Sequence, residues 1–197
     1  QKADPDNKLL WRATRRRLDA HAIRDAVLTV SGRMDPAFLG PNVQAGAVDS
    51  NTSGAQNLEY EYVFTDTRRS LYTPAFRNKR LELFEVFDFA DINTPIGQRT
   101  RSTIAPQALY FLNHPFVIEQ SRAAAARLLA TPGLASDEAR VRHLWLACLG
   151  RQPNAAELRQ ATEFAATSPS DSADQFQENY AQLIQTLFAT ADFRFLD

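Results

Sequence analysis

The chain has 197 residues, 44% of them hydrophobic and 23% charged, with a net charge of −1. That composition supports a sizeable folded core and supplies no field strong enough to draw nucleic acid or an anionic membrane. One cysteine, Cys148, excludes an internal disulfide, and no apolar run reaches the roughly 18 residues of a membrane-spanning helix.

Residues 6–31 read as two helical segments. The first carries Arg15, Arg16 and Arg17. In the second, Ile23, Val27 and Val30 share one face, Asp19 is placed as N-cap, and Gly32 sits where a helix stops. Residues 33–58 are irregular, rich in Gly, Pro, Asn and Ser, and a loop of this length is usually functional or mobile. The alternation of Tyr60, Tyr62 and Phe64 then predicts a strand, with Leu71 to Phe76 returning as its partner in a small β-hairpin. Leu81 to Phe89 predicts a short helix, followed by a loop over 91–101.

Pro106 suits the first turn of a further helix. Asn113-His114-Pro115 interrupts it, because proline disfavours helical geometry in the residue before it. An Ala-rich helix follows to about Leu129 and ends at Pro132-Gly133. Val141, Leu144, Trp145, Cys148 and Leu149 form an apolar stripe at helical spacing, stopped by Gly150. Asn154 with Glu157, and Ser172 with Gln175, have capping-box spacing. The last helix aligns Phe176, Tyr180, Leu183, Ile184, Leu187 and Phe188. Short connections make 136–190 a three-helix bundle.

The expected fold is therefore mainly α, a helical domain with a C-terminal three-helix bundle and a small β-hairpin. It reads as one domain over 1–197, with N-terminal helices 6–31, an irregular and hairpin region 33–101, and a helical part 102–197. A chain that starts at Gln1 without a signal-like segment reads as a processed chain or a piece of a longer one.

The densest polar run is Phe87-Asp88-Phe89-Ala90-Asp91-Ile92-Asn93, continued by Arg99, Arg101, Ser102 and Gln107. Asp88, Asp91 and Asn93 place three oxygen donors within six residues. A hard cation needs six to eight oxygens, and this spacing lacks the glycine and glutamate of an EF-hand, so no metal is expected. Local bracing is the stronger reading, with Asp88 capping a turn or pairing with Arg99 or Arg101. Glu85, Asp88 and Asp91 are also the acids from which a glycosidase-type pair would be drawn, but sequence sets no separation between them.

Arg69, Arg77, Arg99 and Arg101, with Tyr72, make a candidate binding set for carboxylate, sulfate or phosphate. His21, His114 and His143 lack metal-helix spacing, and His114 is better placed to shape the helix break. Cys148 lies on a core stripe, where thiols are usually inert. There is no Gly-rich phosphate loop and no Gly-x-Ser-x-Gly elbow.

Several separated pieces together resemble one family. They are Leu10-Trp11-Arg12 with Arg15-Arg16-Arg17-Leu18-Asp19-Ala20, Arg24-Asp25-Ala26, Arg69-Ser70-Leu71-Tyr72 with Pro74 and Arg77, and Phe87-Asp88 with Asp91 and Asn93. Further along come Arg101-Ser102-Thr103, Pro106-Gln107-Ala108-Leu109, Leu112-Asn113-His114-Pro115-Phe116, and Leu149-Gly150-Arg151-Gln152-Pro153 with Glu157-Leu158. The chain resembles the C-terminal domain of unknown function of exported planctomycete-type proteins, which often carry an upstream cytochrome c module. The resemblance implies export to the periplasm or cell surface, upstream domains of the same polypeptide as partners, and no established activity. It implies no cofactor in this chain: a haem-attachment Cys-x-x-Cys-His is absent, so haem would belong to an upstream region.

The expected function is a non-catalytic structural or interaction module. The alternative is a carbohydrate-active enzyme or glycan-binding module acting on polysaccharide, sulfated polysaccharide included.

Overall fold

The computed structural model describes residues 4, 7–11, 13–43, 58–166 and 173–196. The expected cap at Ser172, and 44–57 of the irregular stretch, lie outside the described residues. In chain order the elements are β1 (Arg16–Arg17), α1 (Ala20–Ser31), α2 (Leu58–Glu61), a 3₁₀ turn (Ser70–Tyr72), α3 (Glu82–Val86) and α4 (Ala105–Asn113). There follow α5 (Pro115–Ala130), α6 (Asp137–Leu149), α7 (Ala155–Ala166), α8 (Ala173–Ala189), α9 (Ala191–Arg194) and β2 (Phe195–Leu196). The fold is mainly α with one small two-stranded antiparallel sheet.

Local chemistry explains most helix ends. Asp19 accepts the N–H of Ala22 at 2.9 Å and starts α1. Gly32 ends it in the left-handed region at φ 74, and its N–H returns to the last turn. Arg127 of α5 crosses this end and donates from Nη1 to the Thr29 carbonyl at 3.1 Å. Between α4 and α5, His114 takes extended backbone, ψ 131, as a residue before proline should. Its Nδ1 then accepts the Phe116 N–H at 3.1 Å, so the ring itself caps α5. Asn154 and Glu157 form the expected reciprocal capping box at the start of α7.

The core is built around α5 and α8, which share the most extensive helix–helix face. Tyr180, Leu183, Ile184, Leu187 and Phe188 are the buried stripe of α8. The expected association of α6, α7 and α8 forms, and α5 joins it as a fourth long helix. α1 packs on the far side of α5, and α4 packs on α8. Phe87, Phe111 and Phe193 meet edge-on or tilted at 5.3–6.1 Å between ring centres, sealing α4 to α9 and the loop after α3. Complete burial of a side chain like Phe111 stabilises by about 1.5–3 kcal/mol.

Two expectations are corrected. Arg15 to Arg17 do not lie on a helix: Arg16 pairs with Leu196 and Arg17 with Phe195 in the antiparallel sheet. This register exposes Arg16 and sends Arg17 inward, where its charge is met by a carboxylate. Nor do 60–64 and 71–76 pair as a hairpin. Tyr60 lies in α2 and Leu71 in the 3₁₀ turn. The alternating rings are used differently: Tyr62 packs edge-on against Phe64 at 5.0 Å and Phe76 at 5.3 Å. The backbone of 66–70 is met by Arg24 and Asp25 of α1, by Asp66 itself, and by an isolated parallel bridge between Asp35 and Arg68.

Candidate functional site

The polar run after α3 folds into a junction. Asp88 stands at φ 59, a left-handed conformation that Asp tolerates better than most residues. Its Oδ2 accepts from Arg17 Nη2 at 2.7 Å and from the Ser102 N–H at 2.8 Å, and its Oδ1 accepts the Ser102 hydroxyl at 2.7 Å. Arg17 Nη1 donates to the Ser102 carbonyl. Gln107, fully buried on α4, donates to the same carbonyl at 3.2 Å and to that of Val86 at 3.1 Å. Burial pushes the Asp88 carboxyl upward, but the donors from Ser102 and Arg17 outweigh it and hold the group below the ordinary carboxylate range.

Asp91 is more exposed. It takes the Asn93 N–H at 3.0 Å, the Thr94 hydroxyl at 2.9 Å and Arg80 at 2.9 Å. Those hydrogen bonds hold its carboxyl low as well. Asn93 turns its amide onto Asp91 at 3.1 Å, and Glu85 is exposed on α3. Among the described residues, no group of three or more His, Cys, Asp or Glu side chains could hold a metal ion.

The expected partner of Asp88 was Arg99 or Arg101, and the structure supplies Arg17 instead. Arg99 lies 3.6 Å from Asp19 and over the Phe89 ring. Arg101, Arg69 and Arg77 are exposed. Tyr72 is half-buried, accepts the Leu39 N–H at 2.8 Å and carries the Arg68 guanidinium over its ring at 4.7 Å.

A second junction joins Arg24 and Asp25 of α1 to segment 66–70. Arg24 donates to the carbonyls of Arg68, at 2.9 Å, and Asp66, and to the Ser70 hydroxyl at 3.2 Å. Asp25 accepts the Ser70 N–H at 2.8 Å and its hydroxyl at 2.6 Å. A third clamps the end of the chain: Arg151 bridges Glu157 at 2.7 Å and Asp192 at 2.8 Å. The Arg151 contact holds the Glu157 carboxyl down at about 2.

Beside the second junction lies a cavity of about 440 Å³, walled among others by Arg24, Leu28, Leu83, Tyr110, His114 and Gln120. The acids of the 85–91 run are not among its walls. Burial lowers Arg24 from the usual arginine value and raises the Tyr110 phenol. Sequence reasoning missed this cavity. Arg24, Tyr110 and Gln120 fall on ordinary helical faces, and only the packing of α1 and α4 against α5 makes them neighbours.

The pieces that are scattered in sequence thus meet pairwise in space: 15–20 with 87–88, 101–102 and 107, 24–26 with 69–72, and 149–153 with 157. A family model described as a protein of unknown function (DUF1553) matches residues 1–165. The chain belongs to this DUF1553 family. No curated protein and no solved structure matches it. In this DUF1553 chain the matched residues contain the first two junctions entire, and the third reaches beyond them through Asp192. Among its described residues no helix is long and apolar enough to cross a membrane.

Proposed function

We propose that this domain is a non-catalytic structural or interaction module of an exported multidomain bacterial protein, with the upstream domains of its polypeptide as its partners. One observation carries the reading. Of the polar groups most suggestive of chemistry, Asp88 spends its hydrogen bonds on Ser102 and Arg17, and Gln107 donates to the carbonyls of Ser102 and Val86. A carboxylate held by three donors and kept below its ordinary range is a poor general acid. The same bonds tie the start of the chain to its middle, which suits a rigid module.

Calorimetric titration of this chain against the remainder of its parent polypeptide, made separately, should show saturable association. Reducing-end assays over neutral and sulfated polysaccharides should show no turnover. Turnover that disappears in Asp88→Asn or Asp91→Asn, with the fold intact, overturns the reading.

A glycan-binding role has one observation in its favour: Arg69, Arg77 and Arg101 are exposed, and no ion pair joins them to another described residue. Heparin should then bind and dextran should not. The triple variant Arg69→Ala/Arg77→Ala/Arg101→Ala should lose most of that binding, because exposed arginines supply the sulfate contacts.

A further inference from the structure

The cavity beside the second junction is built of unusual parts. Arg24 is 5% exposed, and burial of a guanidinium is tolerated when a counter-charge or full hydrogen bonding compensates it. Its contacts are two carbonyls and a hydroxyl, and its nearest carboxylate, Asp25, is 3.9 Å away and already engaged by Ser70. Three hydrogen bonds leave two of its five donors unused. Opposite, on α5, the amide of Gln120 is 4% exposed and its Oε1 has no partner. Tyr110 is 5% exposed, and its hydroxyl makes no hydrogen bond to a described residue.

The remaining charges on the wall are already matched. Asp66 is held by Arg68 at 2.7 Å, and Glu119 by Arg33. Arg24 has Asp25 at 3.9 Å, beyond hydrogen-bond reach, so two of its donors still lack an acceptor. The rest of the lining is apolar, with Leu28, Leu83 and Phe116. A volume of about 440 Å³ lies in the range of small-molecule sites, which combine apolar walls with a few fixed polar groups.

We propose that this cavity binds a compact organic acid, its carboxylate on Arg24 and Tyr110 and its apolar body against Leu28, Leu83 and Phe116. A carboxylate supplies the acceptors that the unused Arg24 donors and the Tyr110 hydroxyl lack. A cation is disfavoured, since it would face Arg24 and find both wall carboxylates taken. This inference does not depend on the module reading. The carboxylate could come from a free acid or from the C-terminus of a peptide, and the chemistry is shared.

The test is calorimetric titration of the whole chain with phenylpropionate, its neutral amide, and acetyl-alanyl-phenylalanine as the peptide source. Phenylpropionate should bind saturably, and the amide about tenfold more weakly or not at all, because the charged hydrogen bond is lost. Stronger binding by the peptide would assign the source to a chain terminus, and stronger binding by the free acid to a metabolite. Tyr110→Phe removes only a hydroxyl without a partner among the described residues, so the fold should survive while affinity falls several-fold. Gln120→Leu, checked by its thermal melt, removes an unpartnered acceptor that a carboxylate cannot satisfy, so it should not weaken binding. Equal binding of acid and amide, unchanged affinity in Tyr110→Phe, or no binding of either acid to the folded chain overturns the proposal.

Discussion

Arg17 and Asp88, 71 positions apart, form an ion pair at 2.7 Å with side chains only 5% and 16% exposed. The pair fixes the start of the chain to the loop after α3, and Ser102 and Gln107 complete it. Removing one partner of a buried pair leaves an uncompensated charge, which costs more than the pair contributes. Asp88→Asn keeps the left-handed backbone accessible and removes the charge. Urea unfolding should show a loss of about 3 kcal/mol. Adding Arg17→Met to that variant should cost less than the sum of the single changes, since the two residues share one network.

The Arg151–Glu157–Asp192 clamp should make stability depend on acid. Glu157 ordinarily titrates near 4.5 and is held at about 2 in the folded chain. A depressed carboxylate contributes stability above its unfolded value and loses it as pH falls through the folded one. Thermal melts should therefore decline between about pH 4.5 and about pH 2 more steeply in the native chain than in Glu157→Gln. At neutral pH that variant should be less stable by on the order of 1 kcal/mol, the scale of a lost cap and a partly exposed ion pair.

Gly32 is held at φ 74, and a Cβ there would come within 2.7 Å of Arg127 Cδ. Gly32→Ala forces a side chain into left-handed backbone and pushes away the arginine that caps α1. About 1–2 kcal/mol of stability should be lost, measured by chemical denaturation.

Cys148 is buried on α6, and burial pushes its thiol up to about 12. At pH 8 it should react with a disulfide reagent only after denaturant is added, because the thiolate is the reactive form. Rapid labelling of the folded chain would contradict this placement.

Tyr72→Phe removes the acceptor of the Leu39 N–H while leaving the ring under Arg68. Hydrogen exchange at Leu39 should quicken, with a global cost of about 1 kcal/mol.

Local signals settled the helical half of this protein. Val141, Leu144, Trp145 and Cys148 are buried on one stripe of α6, Asn154 and Glu157 cap α7, and the His114-Pro115 break separates α4 from α5. Each of these depends on neighbours within a turn or two, so sequence spacing carries the information. That the chain is a domain of unknown function was also legible from residues alone. The alternation of Tyr60, Tyr62 and Phe64 misled because a strand needs a partner strand: Leu71 lies in a 3₁₀ turn, and Tyr62 packs its ring on Phe64 and Phe76.

What the sequence determined by itself is the class of fold, the helix caps at Asp19, Gly32 and Asn154, and Asp88 as one of the residues that do the bracing. Only the tertiary structure decided which of them meet. The partner of Asp88 is Arg17 because β1 pairs with β2, a contact between the two ends of the chain that no local spacing encodes. The cavity at Arg24, Tyr110 and Gln120 has the same origin. Its walls come from four helices and a segment of irregular backbone, and they become neighbours only when the shared burial of α1, α3, α4 and α5 brings them together.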